Sequence, residues 1–460
     1  MKSEEFATAS VMKKIITIVI CSVCCGNSAA QSAYTLEQLL DSARQNNIAT
    51  RNARQGIEAA RQQRKEAFTK YFPNISGTGL WFNANKGMAQ TTITPSELLP
   101  QSLGEMLAQL MPQQVLLDMS DPVSVSMLKN GTIGSLMAVQ PVFAGGQIVN
   151  GNRLARVGED VSRLQLQLSE NEVERNAEQY YWQMVSLQEK QKTVAAVEAL
   201  LADIHKDVDV AVSAGVALRN DLLQVQLRQN EVESQKLKLN NGISIVKLLL
   251  AQYCGLRDTT FTLSADQHAI AASPAKQDHR QALLGTAEYQ LLGKQVEAAR
   301  LQKNMAVGQN LPTVAVGAGY NYHNLLDSDH SFAMLFATVS VPISDWWGGS
   351  HAIRRKKIAY QQAVDEQHDK AELLTIRMQK AWNDVVEARQ QLDIAQRSIQ
   401  QASENLRLHR DYYRAGTCRM ADLLEAQLLY QQSRDKHTDA YADLQNKLLE
   451  YRQSTGQLHE

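Results

Sequence analysis

One stretch of this chain is written twice. Ser213-Ala214-Gly215-Val216-Ala217-Leu218-Arg219-Asn220-Asp221-Leu222-Leu223 returns as Arg414-Ala415-Gly416-Thr417-Cys418-Arg419-Met420-Ala421-Asp422-Leu423-Leu424. The pairs Gly215 and Gly416, Asp221 and Asp422, Pro141 and Pro342, and Gly255 and Gly456 all differ by 201. A repeat at fixed offset means one structural unit made twice, and few folds satisfy that. In both copies a Gly ends one long helical pattern and an Asp opens the next, the signature of a helical hairpin tip.

The composition fits long helices. Over 460 residues there are only 9 prolines and 6% aromatics, with 21% charged residues. A net charge of −1 gives no basic face for nucleic acid. Cys21, Cys24 and Cys25 lie near the N-terminus, and Cys254 and Cys418 alone form neither a zinc pattern nor a disulfide framework. Lys13-Lys14 before the apolar run Ile15 to Val23, then Ser28-Ala29-Ala30, predict a signal peptide over residues 1–30. Met12 is an alternative start, and no small residue precedes Cys24 in the way a lipidation site requires. No other segment has the roughly 18 apolar residues of a membrane helix.

The repeated unit can be read element by element. Tyr34 to about Lys70 reads as a helix stopped by Phe72-Pro73. Asn74 to Asn83 and Thr132 to Phe143 read as strands, about the length that crosses a bilayer when tilted. A proline-free helical pattern then runs from Gly146 to about Val212, roughly 100 Å at 1.5 Å per residue. Leu187, Val194, Leu201 and Val208 form its heptad seam, and Val225, Val232, Leu239, Val246 and Tyr253 form that of the return helix. Residues 257–277 are a polar connector, after which the unit restarts. Strands are expected at Thr313 to Tyr322 and Ser331 to Pro342, and a long helix at about Gly349 to Tyr413. Its seam is Met378, Val385, Leu392, Ile399 and Leu406, with Ala381, Ala388, Ala395 and Ala402 three positions on. The division is thus a signal peptide (1–30), a first repeat (31–256), the connector (257–277) and a second repeat (278–460). Before the strands the repeat offset is 239, so the first copy carries an insert at about residues 84–131, expected as a long loop with a short helix around Leu103 to Met111.

Four strands cannot close a membrane barrel, because open edges in lipid leave backbone groups unpaired. Other copies of the chain must complete it. The signal peptide, the doubled strand and helix unit, the proline-bounded strands and the Gly-x-x-x-x-x-Asp-Leu-Leu tips together resemble the TolC-like outer-membrane efflux proteins, over nearly the whole mature chain. That resemblance implies a mixed but mainly α fold. It implies a homotrimer with a 12-stranded outer-membrane β-barrel continued by a periplasmic α-helical barrel. It implies a passive exit channel for small molecules or exported protein, docked to a periplasmic adaptor and an inner-membrane RND or ABC pump. The family's periplasmic gate falls on Tyr413, Asp422 and Glu425, with Asp221 in the first copy. The usual gate arginine position holds Cys418, with Arg419 beside it. Gly215, Val216, Gly416 and Thr417 become adaptor contacts by the same resemblance.

Other readings of these residues stay open. Asp422 and Glu425 also suit the start of any helix, where acids cap and meet the macrodipole. His323, Asp327, Asp329 and His330 read better as a polar turn than as a metal site. No catalytic triad, phosphate loop or cofactor motif is present, so the expectation is a non-enzyme without cofactors. The rival of another class is an exported periplasmic coiled-coil scaffold that conducts nothing.

Overall fold

The computed structural model describes residues 33–93, 123–264, 275–325 and 328–457. The expected signal peptide and the expected short helix at Leu103 to Met111 lie outside them. The chain forms two compact units, one containing residues 33–58, 161–293 and 366–457, the other 59–160 and 294–365.

Helical hairpins make up most of the first unit. Helix α1 (Leu36–Asn46) leads into α2 (Ile48–Thr69); α3 (Gln147–Ser213) and α4 (Arg219–Cys254) form the first hairpin; α5 (His279–Gly285) leads into α6 (Ala287–Gly308); α7 (Asp345–Arg414) and α8 (Met420–Thr455) form the second. Four of these helices, α2, α3, α6 and α7, also contribute residues to the second unit. The heptad positions are the core. Val194, Val197, Leu201, Ile204 and Val208 of α3 are buried against Val225 and Val232 of α4. Ala381, Val385, Ala388 and Leu392 of α7 pack on Leu444, Leu448 and Tyr451 of α8.

The helix expected from Tyr34 to Lys70 is instead two helices. Asn47 adopts an extended backbone (φ −62°, ψ 137°), and its Oδ1 accepts from the Ala49 amide at 2.9 Å. Thr286, 239 positions later, makes the same break (φ −75°, ψ 138°), with its hydroxyl accepting from the Tyr289 amide. A short polar side chain that caps the next helix from one extended residue explains both breaks. Ser42 Oγ and Asn46 Nδ2 also donate to the Cys254 carbonyl, and Asn47 Nδ2 to that of Tyr253, satisfying the last carbonyls of α4. The connector is not wholly irregular: β6 (Thr262–Leu263) pairs in parallel with β1 (Ala33–Tyr34).

The second unit holds a four-stranded antiparallel sheet of order β2-β5-β7-β8, made of β2 (Asn74–Asn83), β5 (Asn130–Ala144), β7 (Thr313–Leu325) and β8 (Ser328–Ser340). The insert is not only a loop. It contributes the ladder of β3 (Ala89–Ile93) and β4 (Val123–Met127), two runs in which β-branched residues are frequent. Register puts Ile75, Ala138, Ala318 and Leu335 in one row, and Leu136, Tyr320 and Ala333 in the next. Paired residues share a face, so these two rows make an apolar band, in which Leu335 is 87% exposed and Ile75 68%; Gln140, Asn324 and Asp329 stand on the same face toward its ends. The other face is mixed: Ser76, Thr78, Ser135, Asn321 and His323 stand among Leu80, Ile133, Met137, Val139 and Met334, with Phe336 filling the space over Gly317. Gly145, at φ +58°, and Gly308 approach so closely that a Cβ on Gly145 would stand 2.1 Å from the Gly308 carbonyl oxygen.

Candidate functional site at the hairpin ends

Both tips are built the same way. Gly215 (φ +75°) and Gly416 (φ +69°) hold the left-handed conformation that ends a helix. The Val216 amide donates back to the Ala211 carbonyl at 3.0 Å, and the Thr417 amide to that of Tyr412 at 2.9 Å. The return helix is then capped from inside. Asp221 Oδ2 accepts from the Leu218 amide at 3.3 Å, and Asp422 Oδ2 from the Arg419 amide at 3.1 Å. The acids therefore satisfy orphan amides at a helix N-terminus, where negative charge is favoured. Val216 is 80% exposed, and Gly215, Gly416 and Thr417 are exposed with it.

The chain brings the two tips together. Tyr413 is half-buried on the cluster formed by Val208, Val225, Met420 and Leu423, together with Leu222. Burial pushes its hydroxyl above the usual tyrosine range, with Asp221, Cys418 and Asp207 in that order adding to it. Tyr413 of the second tip thus packs on residues of the first hairpin, Val208 and Val225 among them. Arg414 Nη2 also lies 3.8 Å from Asp207 Oδ2, an exposed pair. Glu425 is exposed and points away from the packed face of Met420, Leu423 and Ala426. Arg419 is likewise exposed at the tip. Cys418 is half-buried, its thiol donates to the His409 carbonyl at 3.4 Å, and burial followed by the Asp422 charge raises its pKa.

The least obvious residue here is Arg228. It is 8% exposed and lies between α4 and α8. Its Nε donates to Gln427 Oε1 at 3.0 Å, Nη2 to Gln431 Oε1 at 2.9 Å, and Nη1 to Glu231 at 2.7 Å. Gln431 in turn donates to Gln235 at 2.7 Å. Gln427 is fully buried, whereas its repeat equivalent Gln226 is exposed. A signal existed in the sequence: Arg228 stands three after Val225 and four before Val232, on the seam itself.

Among the described residues, no group of three or more His, Cys, Asp or Glu could hold a metal ion, and no helix is long and apolar enough to cross a membrane. No curated protein sequence matches this chain. A family model described as outer membrane efflux protein matches residues 279–457. Several solved structures share the fold. The outer membrane protein VceC of Vibrio cholerae superposes with a TM-score of 0.71 at 14% identity, covering 92% of this chain and 96% of VceC. CusC gives 0.75 at 15% identity and 91% coverage of both chains. The open-state outer membrane channel MtrE of Neisseria gonorrhoeae gives 0.71 at 13% identity, covering 92% of this chain and 88% of MtrE.

Proposed function

We propose, from the match of residues 279–457 to a family model described as outer membrane efflux protein, that the whole chain is the outer-membrane exit channel of a tripartite efflux or type I secretion system. Three copies would join through the free edges of β2 and β8 into a twelve-stranded barrel. The protein is passive and not an enzyme: the energy comes from an inner-membrane RND or ABC pump, joined through a periplasmic adaptor.

The observation that carries this reading is the sheet. It presents an exposed apolar band with Leu335 and Ile75 in the open, while β2 and β8 each have only one neighbour among the described residues. In lipid such a face is stable and such edges are not, so closure by further copies satisfies both. A periplasmic coiled-coil scaffold gives that face no role.

Tyr413, Asp221, Asp422, Glu425 and Arg419 would form the closed end. Three copies of these acids around one axis would repel one another and attract cations, making a constriction that responds to charge. Gly215, Val216, Gly416 and Thr417 would meet the adaptor. The test is in-cell photo-crosslinking from Val216 and Thr417, with mass spectrometry of the captured species. Capture of a periplasmic adaptor is the expected result. Capture of the protein alone, or of nothing, with the chain missing from the outer membrane, would overturn the reading in favour of the scaffold.

A further inference from the structure

A groove of about 640 Å³ runs between the C-terminal part of α2 and the N-terminal part of α3. Its lining changes character along its length. Beside the start of β2 it is apolar: Phe68, Tyr71 and Val149 are 55%, 40% and 43% exposed. Phe68 meets Tyr71 and Phe72 edge to face, at 5.6 and 5.5 Å between ring centres. One to two helical turns farther from the strand, the lining becomes basic, with Arg61, Arg64 and Lys65 on α2 facing Arg153 and Arg156 on α3.

One acid, Glu159, lines the groove with these bases. Glu159 is 2% exposed and pairs with Arg64 at 3.0 Å. Lys65, Arg153 and Arg156 form no ion pair among the described residues. Like charges gathered without partners repel one another, and an anion in the groove removes that cost. The walls are also fixed: Asn152 Nδ2 donates to the Ala67 carbonyl of α2 at 2.9 Å and to the Ile148 carbonyl at 3.0 Å.

We propose that this groove binds an anionic phospholipid of the leaflet next to the helices, its phosphate held by Lys65, Arg153 and Arg156 and its acyl chains lying along Phe68, Tyr71 and Val149. The order of the lining selects the ligand. A free phosphate would use the basic part alone. An amphiphile with a negative head and an apolar tail matches both parts, with the tail toward the strands and the head away from them. Juxtamembrane bases contribute about 1 kcal/mol each toward anionic lipid. Such a lipid would also fix the junction of α2 and β2.

This inference rests on the outer-membrane reading, and the experiment separates the two. Full-length protein is extracted from the outer-membrane fraction, stripped of lipid, and given phosphatidylglycerol, cardiolipin or phosphatidylethanolamine singly, with bound lipids counted by native mass spectrometry. The expected result is preferential retention of the two anionic lipids. Retention should fall by about thirtyfold in the double variant R153Q/R156Q. R153K/R156K should restore it, and R300Q/K356Q should leave it unchanged. Melting curves of each variant check that folding is intact. Equal retention of all three lipids, or no effect of R153Q/R156Q, would overturn the proposal. Displacement of lipid by millimolar inorganic phosphate would reassign the groove to free phosphate. Absence of the protein from the outer-membrane fraction would instead overturn the channel reading itself.

Discussion

Arg228 donates from Nη2 to Gln431 Oε1 at 2.9 Å across two return helices that lie about 200 residues apart in the chain, and both residues are buried. A charged side chain in a coiled-coil seam costs stability relative to an apolar one, but it fixes which partner and which register are allowed.

Truncation at that position should therefore be severe. Arg228→Ala leaves Gln427 Oε1 buried without its donor and Gln431 Oε1 with only the 3.5 Å contact from Gln427 Nε2, at an expected cost of about 2–4 kcal/mol. Arg228→Met, which keeps the volume, should cost the same or less but loosen pairing of the two hairpins. Thermal unfolding gives the first effect, and hydrogen exchange of α4 and α8 gives the second.

The tip acids carry two roles that substitution can separate. Asp422→Ala removes the acceptor for the Arg419 amide and should cost about 1 kcal/mol locally. Asp422→Asn keeps an acceptor and removes the charge. In planar bilayers Asp422→Asn should lower cation selectivity while its melting temperature stays within about 1 °C of the parent. Equal selectivity in parent and variant would leave Asp422 as a cap alone.

Asp435 supplies a pH test with a definite sign. Its Oδ1 is buried without a hydrogen-bond partner. Burial raises its pKa, with Asp439 adding to the rise and Lys190 and Arg434 opposing it. A carboxyl with a raised folded pKa favours folding below its ordinary range near pH 4, and that contribution is lost as the pH rises through the raised value. Asp435→Asn should thus melt about 1–2 °C higher than the parent at pH 7 and match it at pH 3.

The Gly145 and Gly308 contact tolerates no side chain. Gly145→Ala places a Cβ on the Gly308 carbonyl and strains a positive φ. The variant should reach the outer membrane at a small fraction of the parent level, read by immunoblot of membrane fractions. Gly134→Ala, where nothing lies within 4 Å, is the control.

Much of this architecture was legible because it repeats. The strand Asn74–Asn83, the tips at Gly215 and Gly416, and the heptad seams were all visible as spacing. The breaks at Asn47 and Thr286 were not, since one extended residue barely disturbs a helical period. The pairing of Ala33–Tyr34 with Thr262–Leu263 was hidden because two-residue strands carry no periodicity. Arg228 was legible as a seam position, but its partners Gln427 and Gln431 were not, because they lie far away in sequence. The packing of Tyr413 against Val208 and Val225 likewise needed both hairpins in space.

The most direct measurement addresses the two free strand edges. Cysteines are placed singly on β2 (at Ile75, Gly77 or Gly79) and on β8 (at Ala333, Leu335 or Ala337), in pairs within a chain lacking Cys254 and Cys418. Membrane fractions are oxidised and run under denaturing conditions. Edge-to-edge closure by three copies gives covalent dimers and trimers for at least one pair, with nothing larger, because a head-to-tail interface that closes stops at the ring. Monomer alone for every pair, or a ladder continuing beyond three, would contradict the channel.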